Sequence, residues 1–130
     1  MKVVIGLGFG DEGKGLVTDW LCGQSPDSVV VRFNGGPQAG HTVHRDGKRH
    51  IFASFGSGTL NGNKTYWDSM CPVDPDAFLS ELRVLHEQQI NPDIFISHKC
   101  PIITPYDKFS NQQDSLNLSH GTCGMGFGKT

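Results

Sequence analysis

Four glycines, two carboxylates and a lysine share one short run, Gly8-Phe9-Gly10-Asp11-Glu12-Gly13-Lys14-Gly15, directly behind the apolar, β-branched stretch Lys2 to Gly8. Few architectures accept such a run. The stretch reads as a buried central strand of a parallel sheet, and the glycines end it. From Gly13 the pattern changes. Leu16, Val17, Trp20 and Leu21 share one predicted helical face, and Gly23 and Pro26 stop the helix. Ser28 to Phe33 (SVVVRF) reads as a second buried strand. Strand, glycine loop, helix and strand in this order predict a right-handed βαβ unit, and hence an α/β fold with a mostly parallel sheet and a P-loop-like glycine loop.

The glycine run fits two phosphate motifs. As G-x-x-x-x-G-K it is a P-loop lacking the final Ser or Thr, and as G-x-G-x-x-G it is a dinucleotide fingerprint. In both, glycines let the backbone approach a phosphate, the helix N-terminus offers unpaired N–H groups, and Lys14 adds a full charge. The acids separate them. The second strand ends Arg32-Phe33-Asn34, without the ribose-binding acid of a dinucleotide site. Asp11 and Glu12 lie inside the loop, where they would repel phosphate unless Mg²⁺ intervenes or one acts as a base. This favours chemistry at a metal-bound triphosphate.

A second cluster, Asn34-Gly-Gly-Pro-Gln-Ala-Gly-His41-Thr42, begins where the second strand ends, at the carboxyl edge where open α/β sheets bind ligands. Gly40 can bring backbone close to a metal or phosphate, and His41 titrates near neutral pH. The two loops should therefore face each other. Thr42 to Arg45 and Lys48 to Ala53 read as an inserted hairpin turning at Asp46-Gly47. His44 and His50 are expected at its surface. Ser54 to Asn63 reads as loop and Lys64 to Asp68 as a short strand. Asp74-Pro75 should start a helix with Phe78, Leu79, Leu82, Leu85 and His86 on one face. Asp93 to Ser97 reads as a buried strand, Pro101 to Pro105 as extended chain, Tyr106 to Asn117 as a weaker helix, and Gly121 to Thr130 as another glycine-rich loop.

Glycine supplies 17 of 130 residues, against a usual ~7%, with no triplet period. Lys and Arg number 11 against 13 Asp and Glu, with no basic block, which argues against a nucleic-acid or membrane surface. No apolar run approaches the ~20 residues of a membrane span, and a cytoplasmic protein is expected. Cys22, Cys71, Cys100 and Cys123 lack metal-site spacing and read as reduced structural thiols.

The loops, in this order, resemble the adenylosuccinate synthetase family. Its opening W-G-D-E-G-K-G is met by Phe9 to Gly15, with Phe for Trp. Its Q-G-G-x-N-A-G-H-T is met by Asn34 to Thr42, with Asn34 for Gln and Gln38 for Asn. Its G-T-T-G-R-G-I-G-P is met by Gly121 to Lys129, with Cys123, Met125 and Lys129 as departures. Ser57-Gly58 and Cys100-Pro101 keep the family spacing.

The resemblance implies a GTP-dependent, Mg²⁺-requiring ligase of purine biosynthesis that joins IMP to L-aspartate through a 6-phosphoryl-IMP intermediate. It implies Asp11, Lys14 and His41 as catalytic residues. Gly10, Asp11, Glu12, Gly13, Lys14, Gly15 and Leu16 with Gly40, His41 and Thr42 would surround GTP. Asp11 to Lys14, Gln38, Ala39, Gly40, His41 and Cys123 would contact IMP, and Asp11 with Gly40 would ligate Mg²⁺. The 130 residues correspond to an N-terminal, incomplete part of the family's nucleotide-binding domain, expected to lack turnover alone and to act in a homodimer at full length. Cys123 replaces a hydroxyl donor by a weaker thiol. Phage relatives acting on dGMP share the Pro37 form of the second loop, though they replace the loop aspartate that this chain keeps as Asp11. A synthetase acting on dGMP and a non-catalytic nucleotide-binding module are the alternatives.

Overall fold

The computed structural model describes residues 1–33, 35–113 and 124–126. Helix α1 (Lys14–Gly23) follows Gly13, whose φ of 74° lets the chain turn sharply out of the glycine loop. Strand β1 (Val29–Arg32) comes next, then the hairpin β2 (His41–Arg45) and β3 (Lys48–Phe52). A 3₁₀ turn (Thr59–Asn61), β4 (Lys64–Trp67), α2 (Pro75–Glu87), β5 (Ile94–Ile96) and α3 (Pro105–Gln113) complete the described elements.

The main sheet is parallel with order β1-β4-β5, Val30 opposite Thr65 and Thr65 opposite Ile94. The hairpin forms a separate antiparallel pair whose turn residues Asp46 and Gly47 have φ of 49° and 76°, the left-handed values its sequence predicts. Helix α2 starts as expected, with the Asp74 side chain accepting from the Asp76 and Ala77 amides and Pro75 at the first position. Lys108 of α3 reaches the buried Asp74 carboxylate at 2.8 Å and ties α3 to that cap.

Val43, Phe52, Phe55 and Leu85 form one core, with Phe78 of α2 stacked on Phe55 at 5.0 Å. Trp67, Cys71 and Val73 form a second, packed on Ile94 and Cys100. Helix α1 is anchored by a polar device. Its buried Asp19 receives both arms of Arg45, at 3.0 and 3.3 Å, and the Asn61 amide at 2.7 Å.

Several expectations are corrected. Residues 2–8 form no strand, and Val3, Ile5 and Leu7 are exposed. A strand requires a ladder partner. Here Met1 to Gly6 and Val29 to Phe33 instead face each other across a cleft, although β1 lies at the edge of its sheet. The apolar stripe of α1 is also exposed at Leu16, Val17 and Trp20, while Gly15, Asp19 and Cys22 are buried, because Asp19 turns the helix toward the hairpin. Phe95 and Ile96 of β5 are exposed, as are Leu79 and His86 of α2. His50 is buried rather than at the surface. The end of the weak helix and most of the last glycine loop lie outside the described residues, as does Cys123. No helix among the described residues is long and apolar enough to cross a membrane.

Candidate functional site

A cleft of about 940 Å³ runs between the N-terminal segment, α1 and β1. Its lining includes apolar Val3, Ile5 and Val29 to Val31, and also Gly8, Gly10, Glu12, Lys14, Arg32, His41 and Ser57. Residues of both glycine loops contribute to this lining, and the segments that follow the loops touch. A β-carbon on Gly15 would lie 2.5 Å from the His41 β-carbon and 3.2 Å from its Cα, so the first turn of α1 sits against the start of β2 with no room for a side chain.

Within the first loop, Gly10, Asp11 and Gly13 have φ of 119°, 52° and 74°. Asp11 is exposed and has no hydrogen-bond or ion-pair partner among the described residues. Glu12 turns inward, accepts from the Leu7 and Gly8 amides at 2.7 and 2.5 Å, and pairs with Lys14 Nζ at 3.0 Å. The Lys14 hydrogen bond, followed by the Gly8 amide, holds the Glu12 carboxyl below the usual carboxylate range. Leu16, predicted beside GTP, is exposed.

In the second loop Gly36 and Pro37 are buried, Ala39 lines the cleft, and Gln38, Gly40 and Thr42 are exposed. The Ala39 amide closes a turn on the Gly36 carbonyl at 3.1 Å. His41 is half-buried. Desolvation lowers its pKa most, followed by the nearby positive charges of Arg32 and Lys14, so the neutral imidazole is favoured there.

Three contributors escaped sequence reasoning. Arg32 is buried, donates to the Phe55 carbonyl at 3.2 Å, lies 5.0 Å over the Trp67 ring, and has no carboxylate within salt-bridge range among the described residues. Burial pulls its pKa down, but a guanidinium stays charged at neutral pH. Its signal was an arginine inside an otherwise apolar strand. Cys71 donates its thiol to the Gly35 carbonyl at 2.9 Å, joining the second loop to the Trp67 core. Glu81 of α2 is the third. Its buried carboxylate accepts from the Ala53, Ser54 and Phe55 amides at 3.1, 2.5 and 3.3 Å and lies 3.3 Å from His50 Nε2. It thereby fixes the turn that carries Gly56 and Ser57 to the cleft wall. No sequence pattern links positions this far apart.

The family model described as adenylosuccinate synthetase matches residues 3–130. The chain is 41% identical over 129 residues to the adenylosuccinate synthetase of Borrelia duttonii, covering 96% of this chain and 30% of the relative. It is 37% identical to that of Picrophilus torridus, covering 98% and 31%. It therefore spans about three tenths of these relatives. Among solved structures, the fully ligated adenylosuccinate synthetase of Plasmodium falciparum matches with a TM-score of 0.74 at 23% identity, over 94% of this chain and 30% of that one. The cyanophage S-2L succinoaminodeoxyadenylate synthetase, bound to dGMP and to dATP as energy donor, matches with a TM-score of 0.66 at 20% identity, over 82% and 30%. These likenesses show the α/β nucleotide-binding fold.

Proposed function

The chain belongs to the adenylosuccinate synthetase family, and on that premise we propose that it forms the phosphate-handling part of a ligase joining IMP to L-aspartate with GTP. One observation carries the reading: the Gly15–His41 contact, which brings both glycine loops to the lining of one cleft that also includes Lys14.

In this reading the exposed Asp11 carboxylate takes the proton from N1 of the purine, and O6 attacks the γ-phosphorus of GTP as GDP leaves. The amino group of aspartate then displaces inorganic phosphate at C6. Phosphoryl transfer depends mainly on positioning and charge neutralisation, which Lys14, Arg32 and the loop amides supply around the moving group. His41, whose proton affinity burial, Arg32 and Lys14 lower, donates a hydrogen bond to phosphate and gains proton affinity as that anion arrives. Gln38 and Ala39 are assigned to the monophosphate, as is Cys123 on the family resemblance alone, and no residue of this chain is assigned to aspartate.

The donors suit magnesium. Asp11 offers a carboxylate unengaged among the described residues, and Gly40 offers exposed backbone. No cluster of three or more His, Cys, Asp or Glu ligands occurs among those residues, so the ion would take most of its oxygens from phosphate and water, as Mg²⁺ commonly does. When bound it would neutralise charge on the transferring phosphoryl group.

Alone, the segment binds nucleotide phosphate without turnover; joined to the remainder of a synthetase, it works in a homodimer in the cytoplasm. The test is phosphate release by such a protein with GTP, IMP and aspartate, omitting each in turn. Release that needs all three supports the reading. Nucleotide binding with no release would instead support a non-catalytic module. Pro37 favours a second reading, in which dGMP replaces IMP, and exchanging the two monophosphates in the same assay separates them.

A further inference from the structure

The Glu12 carboxylate occupies the position in the first loop where an external anion would be best served. One oxygen takes both the Leu7 and Gly8 amides, at 2.7 and 2.5 Å, and the other takes Lys14 Nζ at 3.0 Å. The walls of the seat are glycines. A β-carbon at Gly6 would fall 2.0 Å from the second oxygen, and one at Gly8 would fall 3.1 Å from the first. Two adjacent main-chain donors, one ammonium and walls stripped of side chains make an oxyanion cradle.

We infer that the Leu7 and Gly8 amides with the Lys14 ammonium form an oxyanion seat for a nucleotide phosphate group, held shut by the chain's own Glu12 carboxylate until that phosphate displaces it. This rests on the reading of the cleft as a nucleotide-phosphate site. A carboxylate and a phosphate accept from the same donors and cannot share them, so occupancy by Glu12 is direct competition. The side chains of Glu12 and Lys14 are 28% and 33% exposed, which leaves the exchange open to solute. The two-residue spacing of Glu12 and Lys14 makes the competitor permanent and local. The apparent affinity for phosphate is the intrinsic affinity scaled by the fraction of molecules in which Glu12 has left. Glu12 therefore sets how readily the empty loop accepts triphosphate, and it returns to cover Lys14 when product leaves.

The experiment is calorimetric titration of the 130-residue chain with inorganic tripolyphosphate, for wild type, Glu12→Gln and Lys14→Ala, with amide NMR of the same samples. Gln keeps the length of the side chain and loses its charge, so Glu12→Gln should bind at least about threefold tighter than wild type. Lys14→Ala should bind about tenfold more weakly. The Leu7 and Gly8 amide resonances should move to the same end point in wild type and Glu12→Gln on saturation. If Glu12→Gln does not fold, Glu12→Asp serves, because it keeps the charge but draws it one carbon back from the amides, and it too should bind more tightly. Equal or weaker binding by the Gln or Asp variant, with wild type binding well, overturns the self-competition alone. Failure of all forms to bind overturns it together with the phosphate reading.

Discussion

Gly15 and His41 stand so close that a methyl group on Gly15 would lie 2.5 Å from the His41 β-carbon. The contact joins the helix behind the first glycine loop to the strand behind the second. It is held from the far side by Asp19, which grips Arg45 on the same strand.

Gly15→Ala tests that contact. Alanine favours helix by up to about 1 kcal/mol over glycine, which predicts a gain if nothing stood opposite. The clash with His41 instead forces α1 and β2 apart, and overpacking of this kind costs about 1–3 kcal/mol. Urea unfolding should therefore show a loss of stability, and titration with GTP and Mg²⁺ should show weaker binding by about tenfold or more, since both loops move.

Glu81 carries the turn at the cleft wall. Glu81→Ala leaves three amide donors and His50 buried without their acceptor, a loss of about 3 kcal/mol or more. Glu81→Gln keeps an acceptor oxygen and should lose less. Denaturant midpoints with unchanged slopes would check both values.

Local chemistry was readable before the structure. The Asp46-Gly47 turn and the Asp74-Pro75 helix start depend on neighbours in sequence and occur where their residues predict. What escaped depends on distant partners. Lys2 to Gly8 has the composition of a buried strand, yet no described strand pairs with it. His50 reads as a hairpin surface residue until Glu81 arrives from α2, 31 positions away. Lys14 and His41 line one cleft, as the pattern of the two glycine loops predicts, whereas Arg32 gave only the hint of a charge inside an apolar strand.

His41 makes acid destabilising in a specific way. Burial, then Arg32 and Lys14, lowers its pKa in the folded chain, so the unfolded chain binds the proton more readily. Stability is therefore undiminished above about 6.5, the ordinary imidazole value, and falls as pH drops below it toward the lowered folded value. Comparing urea midpoints at pH 7.5 and 5.5, the drop should be smaller in His41→Asn than in wild type. An equal drop in both would remove His41 from the account.

Asp11 distinguishes a catalytic loop from a phosphate cradle, and it is exposed and unengaged among the described residues. The most direct measurement is phosphate release by a complete synthetase carrying this segment, wild type against Asp11→Asn, at saturating GTP, IMP, aspartate and Mg²⁺. Asparagine can neither take the purine proton nor bring the charge that would hold the metal, so the rate should fall by about 10²- to 10⁴-fold with folding unchanged. A loss smaller than about tenfold in a folded variant would contradict the assignment of Asp11 as the base.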